Sequence, residues 1–508
     1  MLEPVTVHPD TQENRELISN VHPKDWVNPE PAASYNLVVI GGGTAGLVCA
    51  AGAAGLGAKV ALVERGLMGG DCLNFGCVPS KGLIRSARAV YDARNSAAYG
   101  VSGDEHISFD FGAAMTRMRI IRSGISRHDS ARRFRDELGV DIFLGQARFV
   151  SADSVEVEGA RLKFSRAAIC TGARAADPAI PGLVDAGYLT SETVFSLTEL
   201  PRRLAVIGAG PIGCELAQSF ARFGCRVTLI EVAPQILSRE DRDAAEILHA
   251  AFVREGIELC LGVKISKVMI RDDEKVVVME RDGVLEEISV DEILVGVGRT
   301  PNVEGLGLED AGIEYDPNSG VTVNDTLRTT NPAVYAAGDI CSPYKFTHTA
   351  DAQARILIAN ALFMGRKKAS ALIIPRCTYT DPEIAHVGMS VRDAQEKGIE
   401  VATLTVPLSE VDRAILDGEP VGFARVHLKK GSDTILGATI VARHAGEMIG
   451  EFSLAITTGL RLSAIGRTIH PYPTQAEAIR KLADAWNRTR LTPTVRKILG
   501  AWLKLSLW

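Results

Sequence analysis

One unit is written twice in this chain. LVVIGGGTAGLVCAAGAAGLGAKVALVE begins at Leu37, and LAVIGAGPIGCELAQSFARFGCRVTLIE begins at Leu204. In each, an apolar strand-like run enters G-x-G-x-x-G: Gly41, Gly43 and Gly46, then Gly208, Gly210 and Gly213. A helical stretch follows, and a second apolar run closes on an acid, Glu64 or Glu231. The first glycine precedes the acid by 23 positions in both copies, and a further glycine (Gly57, Gly224) falls 16 positions after it. The glycines permit a tight turn and let the backbone approach a pyrophosphate at the positive end of a helix, while the acid accepts bonds from ribose hydroxyls. A single such glycine pattern is weak evidence. Two copies with matching acids predict two dinucleotide sites in an α/β protein.

The uncharged run from Pro31 to Ala58 has the hydropathy of a membrane span. Seven glycines between Gly41 and Gly57, with β-branched residues before them, predict instead a buried strand, a turn and a close-packed helix. At 508 residues, 46% apolar and 23% charged, the chain has room for several globular domains. Its net charge of −6, with no long run of one sign, gives no support to nucleic-acid binding. Seven of the nine cysteines are scattered, as expected of a reducing cytoplasm, and no spacing suits a structural zinc site, so no metal ligands are assigned. The N-terminus shows no signal peptide, and residues 1–33 read as a polar extension lying on the surface.

The other two cysteines form the stretch Gly69 to Lys81, GGDCLNFGCVPSK. On a regular helix Cys72 and Cys77 would stand roughly 8–9 Å apart between Cα atoms. A disulfide needs about 4.4–6.8 Å. A bonded pair therefore requires a distorted turn at Gly76, and a strained, accessible disulfide tends to be redox-active. Two buried structural cysteines satisfy the spacing alone equally well. Lys81 would bring positive charge to the sulfurs or to an electron carrier.

Together with AAICTGA (Ala167 to Ala173), ILVGVGRTPN (Ile293 to Asn302), NPAVYAAGDI (Asn331 to Ile340) and HPYPTQAE (His470 to Glu477), these motifs resemble the class I flavoprotein pyridine nucleotide–disulfide oxidoreductases, in that family's order, from about Tyr35 to Trp486. The resemblance implies two Rossmann-like domains plus an α+β C-terminal interface domain that forms a homodimer. The expected boundaries are an extension 1–33, an FAD domain 34–185 and 309–370, an NAD(P)H domain 186–308, an interface domain 371–486 and an amphipathic basic tail 487–508. It further implies that Gly41, Gly43, Gly46 and Glu64 hold the adenosine half of FAD and that Asp339 bonds its ribityl chain. Gly70, Lys81, Thr171, Gly172, Gly298, Arg299 and Gly338 join the cofactor contacts. Gly208, Gly210, Gly213 and Glu231 take the nicotinamide dinucleotide. Cys72 becomes the substrate-facing thiol, Cys77 the flavin-facing one, and Lys81 with Glu215 an ion pair beside the flavin. Glu231 favours NADH, because a carboxylate repels a 2′-phosphate.

Disulfide-reducing members carry a histidine–proline–threonine–x–x–glutamate whose histidine protonates the departing thiolate. Here Tyr472 stands in the histidine place, ahead of Glu477. A phenol, with a reference pKa near ~10, is poorly matched to that role at neutral pH. Mercuric reductase-like members are similar in carrying tyrosine, and a soft metal ion needs thiolates and electrons but no such acid. The leading expectation is a soft electrophile, mercuric ion or a related small acceptor, reduced through Cys72 and Cys77. Dihydrolipoamide dehydrogenase is the alternative, and a membrane-docked electron-transfer flavoprotein the second. This sequence lacks the C-terminal cysteine pair and the N-terminal CxxC carrier of the mercury enzymes; His470 reads as a packed interface histidine. Asp71, where threonine is usual, either raises the thiol pKa or caps a turn. In the tail, Val495, Ile498, Leu499 and Trp502 recur at helical spacing among Arg496, Lys497 and Lys504. They predict a helix docked on the dimer or resting on anionic lipid at the inner face of the membrane.

Overall fold

The computed structural model describes residues 5–102 and 107–507. The chain forms two compact units, residues 1–236 with 255–372 and residues 237–254 with 373–508. The segment 237–254, inside the stretch expected to bind NAD(P)H, thus belongs by its contacts to the second unit.

The first unit is built on two parallel sheets, one for each copy of the repeated motif. In the five-stranded sheet Leu37–Ile40 lies at the centre, between Val60–Glu64 and Ala167–Ile169, with Asp141–Leu144 and Val334–Ala336 at the edges. In the four-stranded sheet Arg203–Ile207 lies between Arg226–Glu231 and Glu292–Val295, with Glu258–Leu261 outermost. All four residues of Leu37–Ile40 are buried, as a strand covered by helices on both faces must be. In each sheet the motif strand is flanked on its two sides by strands that both follow it in the chain, so the strand order reverses there. Its carboxyl end opens into the crevice where α/β proteins bind ligands.

The charge-free run therefore folds as strand Leu37–Ile40, a glycine turn and helix Thr44–Gly55. No helix among the described residues is long and apolar enough to cross a membrane.

Residues 5–33 correct the expectation of a loose surface extension. They contain the helix Gln12–Val21, whose Leu17 and Val21 are fully buried, followed by Trp26, whose indole donates to the Ile142 carbonyl. Asn28 exchanges two hydrogen bonds with the backbone of Leu144, at 2.8 and 2.9 Å, continuing the edge of the sheet. The apolar residues of this segment are few; Leu17, Val21 and Trp26 are buried, while Val27 stays exposed.

The second unit carries a five-stranded antiparallel sheet in the order Arg376–Thr378, Glu383–Gly388, Ile435–Ala442, Phe423–Lys429, Val401–Pro407. The helices Ala445–Thr458 and Glu477–Arg490 bury Ile449, Phe452, Ile479 and Leu482 in its core. After Arg490 comes a final helix, Pro493–Leu505, with no buried residue.

Candidate active site

The two glycine turns are near copies in detail. Gly41 has φ +105°, and a Cβ there would stand 2.4 Å from the Cys170 carbonyl oxygen; one on Gly46 would stand 1.8 Å from the Gly41 oxygen. The second turn repeats this at Gly208 and Gly213, with 2.7 Å to the Gly296 oxygen and 1.9 Å to the Gly208 oxygen. Both acids face their turns. Glu64 accepts from the amides of Gly42 and Gly66 at 2.5 and 2.6 Å, and Glu231 from those of Ala209 and Ala233 at 2.7 and 3.0 Å. Burial pushes the Glu64 carboxyl up, against the pull of its two amide bonds. Glu64 and Thr171 line one small pocket with Gln146, Asn302 and Glu304. Thr171 itself donates to the Asn302 carbonyl at 2.9 Å, so its hydroxyl stiffens that wall.

Glycine also docks the cysteine stretch. Gly69 donates its amide to the Gly42 carbonyl at 2.8 Å, and a Cβ on Gly70 would meet the Gly43 Cα at 2.5 Å. Gly70 is thus the seam between the first turn and the short helix Gly70–Asn74 that carries Cys72. That helix stops at Phe75. Gly76 (φ −115°, ψ −114°) breaks the chain direction, and a new helix runs Cys77–Arg94. The break removes the regular-helix separation, and the two sulfurs come into hydrogen-bond contact as free thiols. Cys72 as donor pulls the Cys77 thiol below the ordinary range against the cost of burial, helped by the Thr347 hydroxyl 3.5 Å from its sulfur and by Lys81; the same bond, with burial, holds the Cys72 thiol up. The same hydrogen bond thus favours ionisation at Cys77 over Cys72.

Lys81 lies one helical turn beyond Cys77, and its ammonium bonds Glu215 at 2.8 Å. Glu215 is only 5% exposed, on the helix Pro211–Phe223 that opens at the second glycine turn. The pair thereby ties the cysteine helix to the second nucleotide motif. Asp71 does not cap a turn through its side chain. Its carboxylate pairs with Arg299 at 2.9 Å, and Arg299 also approaches Asp339 at 3.5 Å and donates to the Ala173 carbonyl at 2.6 Å. Burial opposes the Arg299 charge, but Asp71 and Asp339 outweigh it and hold the guanidinium protonated. Asp71 still tends to raise both thiols, the smallest of the influences acting on them. Gly338 (φ +86°) donates to Gln353 and packs against Ala45, which sets Asp339 beside the first turn. Gly172 and Gly298 both have positive φ and, among the described residues, no atom within 4 Å of a would-be Cβ.

Tyr472 and Glu477 belong to the second unit. Tyr472 is 69% exposed and donates to Asp412 at 2.9 Å, a bond that raises its phenol. Glu477 accepts from Arg480 at 3.2 Å with one oxygen, while the other is buried with no hydrogen-bond partner among the described residues. His470 bonds Glu451 at 3.0 Å.

Sequence reading missed Thr347, the Asp71–Arg299 pair and Arg122. Nothing local marks Thr347, which lies 270 residues from Cys77. Arg122 is 1% exposed. It donates to the Asn74 carbonyl at 2.8 Å and to Asn14 at 2.7 Å, bridging the N-terminal helix to the end of the Cys72 helix. Burial lowers its pKa to about 10.

Residues 35–354 match the family model "Pyridine nucleotide-disulphide oxidoreductase", and 374–483 match the dimerisation domain of the same family. The chain belongs to this family. The oxidoreductase is 36% identical over 455 residues to a mercuric reductase of Lysinibacillus sphaericus, covering 90% of this chain and 83% of that protein. It is 34% identical over 466 residues to a dihydrolipoyl dehydrogenase of Thermus scotoductus, covering 90% and 98%. Among solved structures, the HOCl-induced flavoprotein disulfide reductase RclA from Escherichia coli superposes with a TM-score of 0.79 at 28% identity, covering 89% of this chain and 99% of that one. The family implies FAD and a pyridine nucleotide, and its dimerisation domain supports a homodimer. The residues present fit two dinucleotides. Among the described residues, Gly210 has no atom within 4 Å of a would-be Cβ and Gly43 only the Gly70 Cα at 3.7 Å, and neither helix start is capped by a side chain. Each oxidoreductase turn therefore offers bare backbone amides to a pyrophosphate.

Proposed function

We propose that this oxidoreductase takes electrons from NADH and reduces a soft electrophile, mercuric ion or a chemically related acceptor, at Cys72 and Cys77. The observation that carries the reading is the cysteine pair itself, freed from helix geometry at Gly76 and polarised so that Cys77 ionises first. FAD, when bound, supplies the two-electron relay between nicotinamide and sulfur.

The chain's own residues do the rest. Glu64 and Glu231 hold the ribose ends against the two turns. Lys81, anchored by Glu215, places positive charge one turn from Cys77 and favours its thiolate. Thr347 steadies the same sulfur. Binding of a soft dication displaces the remaining proton from Cys72, since the thiolate is the ligand. Per turnover NADH is oxidised to NAD+ and releases one proton, while mercuric ion takes two electrons and leaves as the element.

A disulfide substrate would need an acid for its departing thiol. Tyr472 supports the metal reading because Asp412 holds its phenol further above neutrality. The dihydrolipoyl dehydrogenase relatives make lipoamide the competing substrate.

Anaerobic NADH consumption by the purified flavoprotein, with mercuric ion plus excess thiol and in parallel with lipoamide, tests the reading. The expected outcome is turnover with mercury that disappears in Cys72→Ser. Turnover with lipoamide alone overturns it. Side-by-side assays should also favour NADH over NADPH.

A further inference from the structure

The last helix of the chain, Pro493–Leu505, is held by a Thr492 cap and a proline in its first turn, yet buries none of its residues. Its apolar side chains are large and bare: Ile498 is 62% exposed, Trp502 70%, Leu503 63% and Leu505 72%. At 100° per residue these, with Val495 and Leu499, fill one continuous face. Arg496, Lys497 and Lys504 fall on the other. From Ala485 onward the chain has five basic side chains (Arg488, Arg490, Arg496, Lys497, Lys504) and no acidic one, although its overall charge is −6. The matched dimerisation domain ends at residue 483, so this helix is an addition to it.

We infer that residues 488–507 form an interfacial anchor that lays the enzyme on an anionic lipid surface. The apolar stripe sinks into the boundary between headgroups and acyl chains, and the cations above it meet lipid phosphates and carboxylates. Charge complementarity selects this occupant: five basic side chains with no acidic one among them meet an anionic headgroup layer, and the apolar stripe meets the hydrocarbon boundary beneath it. The helix lies in the plane of the surface, since thirteen residues rise about 20 Å, less than the ~30 Å hydrocarbon core. The proposal goes beyond the redox reading, since it fixes where the dimer works rather than what it reduces.

The test is sedimentation of the intact flavoprotein with vesicles of phosphatidylcholine alone or with a third phosphatidylglycerol, at low and high salt. Expected are pelleting with the anionic vesicles only, weakening at high salt, and at least tenfold weaker partitioning for Trp502→Glu and for the combined Arg496→Glu/Lys497→Glu. Turnover with the soluble acceptor should be unchanged in both variants. Two results overturn the proposal: equal recovery with and without anionic lipid, or a tail variant that elutes as a monomer, which would mean that a second copy covers the face.

Discussion

At the scale of single residues, the proposed chemistry turns on which of two hydrogen-bonded sulfurs ionises more readily. Cys77 is lowered chiefly by the hydrogen bond from Cys72 and less by Lys81. In the reduced protein, alkylation of Cys77 by iodoacetamide should therefore reach half its plateau rate below the ordinary thiol value of 9.0. The sign follows from the pKa: a lowered thiol is already thiolate, and reactive, at lower pH. Cys72→Ala should move that midpoint upward by more than Lys81→Met does, and mass spectrometry of the labelled peptide across pH reads both. Glu231 sets a second residue-scale expectation. Its carboxylate already accepts two backbone amides beside the second turn. Glu231→Ala should lower the KM for NADPH relative to that for NADH, because the repulsion of a 2′-phosphate is removed while the glycine turn stays. Steady-state kinetics with the two nucleotides is the measurement.

At the scale of elements, buried arginines hold the redox stretch in place. Arg122 joins three segments distant in sequence: the N-terminal helix through Asn14, its own helix Phe111–Ser126, and the end of the Cys72 helix through Asn74. Asn14→Ala strands a buried guanidinium N–H and should cost about 1–3 kcal/mol, read as a lower urea midpoint. Arg222 and Glu255 are 5% and 6% exposed and bonded at 2.7 Å, and Arg222 also stacks 4.0 Å over the Tyr91 ring of the cysteine helix. Glu255→Ala removes the buried carboxylate that accepts from Arg222, so a lower midpoint is expected, again in urea. In the second unit, His386 is 2% exposed and bonded to Thr439 and the Gly388 carbonyl, and burial lowers its pKa from 6.5 to about 3. The unfolded chain then binds the proton first, so this group's contribution is intact above pH 6.5 and is lost progressively towards pH 3. Melting curves across that window should fall less steeply for His386→Gln than for the parent protein.

At the scale of the whole molecule, the family's dimerisation domain leads to a clear expectation: light scattering on the purified flavoprotein should give twice 54.4 kDa. The two nucleotide motifs, their acids and the cysteine stretch were readable from the chain alone. Their information is local: a glycine at a fixed offset from another, or a proline and lysine just after a cysteine. The same holds for the tail, whose helical spacing lies in consecutive residues. Residues 5–33 were misread because three scattered apolar side chains, Leu17, Val21 and Trp26, make no pattern until a partner surface exists. Thr347, Arg122 and the Asp71–Arg299 pair were unreadable for the same reason, since each is defined by a neighbour far away along the chain. Sequence by itself determined the family and the places of its glycine turns and cysteine stretch, because turns and motifs are short-range matters of backbone shape. Only the tertiary structure decided which sulfur ionises first, what anchors the lysine and which face of the tail stays bare. Burial and charge pairing arise only when distant segments pack.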